Sequence, residues 1–324
     1  MKTFLKIVGG LVALIVILIV ISLIYLNTAF PKVYPAEDIT IEATAERLAR
    51  GEYLVENVSM CLDCHSQVKE NIFSMPVVPG TKGMGGRSFE EGEMIVHVPN
   101  ITPAALKDWS DGEIARAITE GVDKDGQALA PMMPYSEYKY MAKEDVYAVV
   151  AYLRTLPAIE NEVPPTELPF PLSLIFPTLP DSATPMALPD TSDSLANGEY
   201  LVNIAGCKFC HTPFENGQQP EGMDFAGGHE FPDARFGIAR SANITPDEET
   251  GIGSWTKDMF IERFKSYSDS LGQNIPLGGN VNQTAMPWTI LSGMTEKDLG
   301  SVYDYLRTVK PVKNEVDTFS PVEE

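Results

Sequence analysis

Residues 61–65 read CLDCH, and the same C-x-x-C-H pattern returns at residues 207–211 as CKFCH. The two copies use all four cysteines of the 324-residue chain and two of its four histidines. A zinc ribbon would need C-x-x-C pairs about 15–20 residues apart, whereas about 140 residues separate the pairs here. A thioredoxin-like redox pair needs a βαβ setting, and the sequence shows none. Each copy is therefore interpreted as a site of its own.

The C-x-x-C-H pattern is the attachment signature of a c-type haem. Two thiols three residues apart lie on one turn of chain, so both can form thioethers with vinyl groups of one porphyrin. The next residue, histidine, is then placed under the iron as proximal ligand. The sequence predicts two covalently bound haem c groups. The predicted attachment residues are Cys61, Cys64, Cys207 and Cys210, and the predicted proximal iron ligands are His65 and His211.

Composition and charge limit the class of protein. The length suits two domains plus connectors, and an apolar fraction of 44% is ordinary for packed globular structure. A net charge of −21 argues against nucleic acid and against an anionic membrane surface as partners for the soluble part. The acidity either favours docking to a basic patch on another protein or only keeps the protein soluble.

The N-terminus is predicted to be a membrane anchor, residues 1–30. Residues 7–26 are uncharged and mostly apolar, which is enough to cross a bilayer as a helix. Lys2 and Lys6 precede this stretch, so the positive-inside rule keeps the N-terminus cytoplasmic and exports the rest. A cleaved signal peptide is the alternative, but its apolar region is usually about 7–15 residues long. Residues 31–42 contain two prolines and are interpreted as a short stalk.

The remainder of the chain is a tandem repeat, because four short motifs occur twice in the same order. Two further domains are therefore predicted, at residues 43–156 and 193–324. The motif pairs are GEYLV at 51–55 and 198–202, NITP at 100–103 and 243–246, Met-Pro at 133–134 and 286–287, and YLRT at 152–155 and 305–308.

Hydrophobic periodicity predicts an all-α fold for both domains. Packing of the first helix against the last is the expected frame, with Gly51 and Gly198 allowing close approach. The predicted helices are the first at 43–60 and 193–206, the one after each tryptophan at 111–120 and 257–267, and the last at 143–155 and 296–308.

The sixth iron ligand requires a methionine at matching positions in both domains, and two pairs qualify. Met141 and Met294 have a sufficient local role, as one end of a hydrophobic staple at the start of the last helix. Met133 and Met286 have none, and the proline after each stiffens the loop that would hold a sulfur at the iron. Met133 and Met286 are therefore predicted as ligands. Met132 is interpreted as a packing neighbour and not as a ligand, because the second domain has alanine at the equivalent position.

Four further residues are candidates for contacts around the haem. The tryptophans also suit helix-capping motifs, and the asparagines also suit turn caps, so a purely local role stays open for each. They are Asn100, Trp109, Asn243 and Trp255.

His97 and His229 do not recur as histidine, since they stand opposite Arg240 and Arg87 in the repeat. They are interpreted as surface or loop residues. A positive or hydrogen-bonding group near a propionate is the alternative for the Arg87 and His229 position.

The linker, residues 157–192, holds nine of the 25 prolines and the apolar run LPFPLSLIF at 168–176. A solvated spacer would not expose such groups, and the run is too short and too proline-broken to span a membrane. The linker is therefore expected to lie along a domain surface and to fix the two domains relative to each other.

The order of these motifs, with LPFP between the repeats, resembles the cytochrome c subunits of membrane-bound alcohol and gluconate dehydrogenases over residues 43–324. The resemblance implies periplasmic electron transfer by two class I-like haem domains at the bacterial inner membrane. This chain departs from the family in two respects. The family typically carries three haems, whereas this chain has two attachment motifs, and this chain begins with a plain membrane helix.

The predicted function is a membrane-anchored dihaem cytochrome c without catalytic residues. It would carry electrons between a quinol-oxidising or dehydrogenase complex and a terminal oxidase or other acceptor. Two alternatives are a fixed subunit of such a complex and a dihaem peroxidase. A peroxidase needs one open or displaceable iron site, whereas both domains offer the same Met-Pro.

Overall fold

The computed structural model describes residues 1–215, 217–278 and 281–322. It begins with helix α1, Lys2–Ala29, of which no residue is buried. This helix contains the predicted span 7–26, and its length and composition suffice to cross a membrane.

The first repeat unit is mainly helical. Its predicted helices at 111–120 and 143–155 are present, and the helix at 43–60 continues through a π-helical turn, Leu54–Val58. The elements are α2 Ala45–Tyr53, α3 Cys61–Cys64, β1 Ser88–Glu91, β2 Met94–His97, α4 Pro103–Leu106, α5 Asp111–Glu120, α6 Tyr135–Tyr138 and α7 Lys143–Leu153.

The linker contains a short helix, α8 Leu172–Ile175, followed by a 3₁₀ turn, Phe176–Thr178. The second unit repeats the pattern of the first. Its elements are α9 Ser194–Ile204, α10 Cys207–Cys210, β3 Glu230–Asp233, β4 Gly237–Arg240, α11 Lys257–Lys265, a 3₁₀ turn Gly272–Asn274, α12 Trp288–Leu291, α13 Glu296–Leu306 and β5 Phe319–Ser320.

Packing of the first helix against the last is confirmed in both units. A Cβ atom at Gly51 would lie 2.0 Å from the carbonyl oxygen of Ala148 in α7. A Cβ atom at Gly198 would lie 2.0 Å from that of Ser301 in α13. Only glycine leaves room for these backbones to touch.

The helices differ in how their N-termini are capped. Ser110 and Glu113 form a complete capping box at the start of α5. The side chain of Thr295 caps α13 by accepting a hydrogen bond from the Asp298 N–H. Ala142 provides no side-chain cap for α7.

The two units are not purely α-helical, which corrects the all-α expectation. In the first unit β1 and β2 form an antiparallel hairpin with Ser88 opposite His97. In the second unit β3 pairs with β4, which also pairs with β5. Each hairpin strand is only four residues long, so the alternation of apolar residues is too brief to distinguish strand from loop.

The units share one hydrophobic core, which includes Leu54 and Val58 of the first and Leu201 and Ile204 of the second. Reciprocal hydrogen bonds cross the interface. The Tyr53 hydroxyl donates to Asp298 at 2.6 Å, and the equivalent Tyr200 hydroxyl donates to Asp145, also at 2.6 Å. Because equivalent residues make equivalent contacts in both directions, the interface has approximate twofold symmetry.

Each interfacial carboxylate has a second partner within its own unit. Arg50 donates two hydrogen bonds to Asp145, and Asn197 donates one to Asp298. Burial and these carboxylates raise the pKa of both Tyr53 and Tyr200. Both phenols therefore remain protonated and act as donors across the physiological range.

The linker only partly follows its expectation. Its ends lie along the first unit, where Glu167 pairs with Ile95 and the Thr184 N–H donates to the Lys139 carbonyl. The apolar middle is only partly covered: Leu172 and Leu174 are half-buried, whereas Phe170 is 77% and Ile175 is 46% exposed.

Candidate haem-attachment sites

The two C-x-x-C pairs have the same local geometry. Each forms one helical turn, α3 or α10, directly after the long first helix of its unit. The residue before each turn has a left-handed backbone conformation, with φ 53° at Met60 and φ 64° at Gly206. This bend ends the long helix and places both thiols of each pair on one short turn.

All four thiols are free and only partly exposed. Burial raises the pKa of the Cys61, Cys64 and Cys207 thiols to about 12 and that of the Cys210 thiol to about 11. The thiols are therefore protonated near neutral pH, and no disulfide joins them, so all four sulfurs are available for thioether bonds.

The two histidines, which are the predicted proximal ligands, are held in the neutral form. The Nδ1 of His65 lies 2.8 Å from the Pro99 carbonyl oxygen, and the Nδ1 of His211 lies 2.7 Å from that of Ala242. A carbonyl oxygen only accepts, so Nδ1 carries the proton and Nε2 keeps its lone pair. Burial lowers the pKa of both imidazoles. This donor arrangement fits a haem iron.

Asn100 and Asn243 fix the loops that carry these two carbonyls. The Asn100 Oδ1 accepts hydrogen bonds from the Thr102 N–H and hydroxyl, and its Nδ2 donates to the Ile159 carbonyl at 2.7 Å. Asn243 repeats the pattern with Thr245 and the Val312 carbonyl. The asparagines follow Pro99 and Ala242 directly, so they hold the carbonyls that orient the histidines.

Gly85 and Gly227 are site residues that the sequence analysis missed. Their N–H groups donate to the carbonyls of His65 at 2.9 Å and His211 at 2.7 Å. Both have positive φ, and a Cβ on either would lie 2.5 Å from the peptide that orients the histidine. A Gly-Gly pair recurs at 85–86 and 227–228, which is a signal that the repeat comparison could have used.

The structure separates the two methionine pairs. Met141 and Met294 are 1% and 3% exposed and belong to the shared core. Met133 and Met286 are half-buried at the core's edge, each followed by a proline at the centre of an inverse γ-turn. The Tyr135 N–H donates to the Met133 carbonyl at 2.8 Å, and the Trp288 N–H donates to the Met286 carbonyl at 2.9 Å.

The Met286 loop is also held by the first unit. The Ser74 hydroxyl donates to the Met286 carbonyl at 2.9 Å, and the Ser74 N–H donates to Gln283 Oε1 at 2.9 Å. Gln283 in turn donates to the Ile72 carbonyl at 3.1 Å. The repeat comparison could not reveal this contact, because alanine stands at the position equivalent to Gln283, residue 130.

Trp109 and Trp255 are half-buried against the core. Their backbone carbonyls accept hydrogen bonds from Arg154 and from the Tyr303 hydroxyl. Neither indole N–H has a hydrogen-bond acceptor within the described ranges. Their role toward a haem therefore stays a prediction.

His97 ends strand β2, and His229 directly precedes strand β3. The Nδ1 of His97 lies 2.8 Å from the exposed Ser88 hydroxyl on the neighbouring strand. The His229 ring stacks on Phe231, with centroids 4.7 Å apart, and lies 5.9 Å from Phe209 in α10. Arg87, opposite His229 in the repeat, donates to the Asp63 carbonyl in α3. This repeat position therefore contacts the attachment turn in both units.

Both attachment turns border the shared core, because Cys61 and Cys207 pack against it. Helix α6 lies beside the first turn, where the Tyr138 hydroxyl donates to the Ser59 carbonyl. Burial is the main cause that raises the pKa of Tyr138, so this hydroxyl stays protonated.

No family model matches the chain, but curated relatives do. It is 28% identical over 290 residues to the cytochrome c subunit of the quinone alcohol dehydrogenase of Gluconacetobacter polyoxogenes, covering 84% of this chain and 58% of that protein. It is 26% identical over 283 residues to the gluconate 2-dehydrogenase cytochrome c subunit of Pantoea cypripedii, covering 83% and 60%. A diheme cytochrome c-type of Cereibacter sphaeroides is 34% identical over 113 residues, 34% of this chain and 36% of that protein.

These relatives confirm the resemblance drawn from the motifs. The two dehydrogenase relatives are named as cytochrome c subunits, which are electron carriers and not the catalytic enzymes themselves. The chain spans somewhat under two thirds of the length of the two dehydrogenase subunits described above.

Proposed function

We propose that this chain is a membrane-anchored dihaem cytochrome c that carries electrons from a dehydrogenase or quinol-oxidising complex to a terminal acceptor. One observation carries the proposal, namely that two free thiols and a neutral, Nδ1-protonated histidine recur in the same arrangement in both units. The relatives add support, since they are named as cytochrome subunits of dehydrogenases.

The residues divide into attachment and ligand roles. Cys61 and Cys64 would hold one haem, and Cys207 and Cys210 the other. When bound, each haem supplies an iron that accepts and releases one electron. His65 and His211 would bind iron through Nε2, and Met133 and Met286 would complete the coordination. Because both axial positions are then filled, no residue is assigned to substrate chemistry.

The shared core suits electron transfer between the two units. It fixes the two attachment turns relative to each other, so the path between the haems does not depend on a flexible tether. The Tyr53–Asp298 and Tyr200–Asp145 bonds add directional contacts to this apolar interface. The units would therefore act as one rigid electron conductor.

Anchoring is proposed from α1, with the N-terminus cytoplasmic and both units in the periplasm. The stalk binds the first unit immediately after α1, through Glu37, which pairs with Lys143 at 2.7 Å. The Tyr34 carbonyl also accepts a hydrogen bond from Arg116 at 3.2 Å. A stalk bound this closely would keep the first unit beside the membrane.

Isolation of the protein from its membranes in a mild detergent tests the proposed partnership. A dehydrogenase should co-purify, and its substrate should reduce both haems without an added mediator. Haems that stay oxidised under these conditions would contradict the dehydrogenase partnership. Rapid peroxide turnover by the reduced protein would instead favour the peroxidase alternative.

Gln283→Ala should weaken methionine ligation in the second unit alone. The substitution leaves the buried Ser74 N–H without its partner, at a cost of about 1–3 kcal/mol. On heating, the part of the near-infrared methionine–iron absorbance that comes from Met286 should be lost at a lower temperature than the part that comes from Met133. Gln127→Ala, at an exposed site, is the control. Equal loss in both units would contradict this role of Gln283.

A further inference from the structure

The middle of the linker is an exposed apolar segment in a strongly acidic protein. Residues 168–180, here called the apolar linker loop, carry no charged side chain and lie between Glu167 and Asp181. Three large apolar side chains of the loop stand in solvent, namely Phe170 at 77%, Ile175 at 46% and Leu179 at 45% exposure. Exposed apolar area of this kind, grouped on one loop, favours burial against a second surface.

The chain on either side shows where this loop leaves the first unit. The stalk runs antiparallel to α5. The Arg116 side chain donates to the Tyr34 carbonyl at 3.2 Å, and the Ile41 N–H donates to the Asp111 carboxylate at 2.8 Å. Helix α1 therefore precedes the stalk at the C-terminal end of α5. The linker returns to this same end, where the Ala183 N–H donates to the side chain of Glu120 at 3.3 Å.

Arg116 and Glu120 lie one helical turn apart, so they hold the stalk and the linker side by side. The apolar linker loop ends three residues before Ala183. It therefore rejoins the first unit on the side from which the membrane helix leaves.

We propose that the apolar linker loop inserts into the outer surface of the membrane that α1 spans. This inference rests on the anchoring part of the proposed function. Without charges the loop offers no ion pairs to a protein partner, whereas apolar side chains favour the boundary between headgroups and acyl chains. Its lack of charge also avoids repulsion from anionic lipids, which the rest of the acidic surface would experience.

A second contact with the membrane would determine the orientation of the two units relative to the membrane. A single helix and a short stalk leave the attached units free to rotate about the membrane normal and to tilt. Insertion of the loop beside the stalk adds a second point of attachment and fixes the tilt of both units. The loop lies between the units in sequence, so it would constrain them together.

Photocrosslinking of the full-length haem-loaded protein in phosphatidylcholine and phosphatidylglycerol vesicles tests this inference. p-Benzoylphenylalanine replaces Phe170 or Ile175 in the loop. Leu18 of α1, 54% exposed, reports on the anchor, and Leu271 of the second unit, 78% exposed, is the matched control outside the loop. After irradiation, mass spectrometry measures the lipid adduct at each position.

Lipid adducts at positions 170 and 175, several-fold above position 271, are the expected result. Adducts at position 18 without adducts in the loop would overturn the inference while leaving the anchor intact. Adducts at neither site would overturn both. Equal labelling at position 271 would also overturn insertion of this loop.

Discussion

Met133→Ala or Met286→Ala should each remove about half of the near-infrared methionine–iron charge-transfer band and lower the reduction potential of one haem, because methionine ligation raises the potential. The expected shift is on the order of 0.1 V, a modest part of the range that axial ligands cover. A redox titration followed by visible and near-infrared spectra measures both effects. The double variant should lack the band entirely.

The structure provides matched controls for this experiment. Met132→Ala and Met259→Ala alter methionines that are 36% and 51% exposed, and both should leave the spectrum unchanged. Met141→Ala should instead cost about 2–5 kcal/mol of stability and keep the band, because it removes a core side chain. An intact band in Met133→Ala or Met286→Ala would show that the assignment is wrong for that unit.

Gly51→Ala and Gly198→Ala should strongly destabilise the fold. Either Cβ atom would lie 2.0 Å from a carbonyl oxygen of the opposing last helix, so the helices must separate. The expected cost is about 3 kcal/mol or more, at the upper end of overpacking effects. In an ordinary exposed helix, replacing glycine with alanine instead stabilises the fold by about 1 kcal/mol.

Gly300→Ala is the matched control, because it lies in α13 with its nearest neighbour atom 3.5 Å from the added Cβ. This variant should keep or raise the unfolding temperature. Thermal unfolding followed by circular dichroism and by haem absorbance measures all three variants. Since the units share one core, Gly51→Ala should lower the unfolding temperature of both units together. Unfolding of the first unit alone, or no change, would contradict this account of the interface.

The main helices could be predicted because their determinants are local. Ser110 and Glu113 lie within one turn of each other, so their capping box can be recognised in the sequence. The bonds from Tyr53 to Asp298 and from Tyr200 to Asp145 could not be predicted. Their partners are 245 and 55 residues apart, and only the docking of the two units brings them together.

The candidate site was predictable to the extent that its chemistry requires fixed spacing. Two thioethers to one porphyrin impose C-x-x-C, and the ligand follows directly at His65 and His211. The carbonyls of Pro99 and Ala242, which set the tautomer, lie 34 and 31 residues away and carry no side-chain signal. The partial exposure of the linker's middle could not be predicted, because apolar composition does not specify which surface covers each side chain.

The intact mass of the acid-denatured protein tests the proposed cofactor content most directly. The mass should exceed that of the unmodified mature chain by two haem groups, and the pigment should stay with the protein in acid acetone. Cys61→Ala with Cys64→Ala should remove one of the two. A mass equal to that of the chain alone, or pigment released into the acetone, would contradict covalent haem attachment in both units.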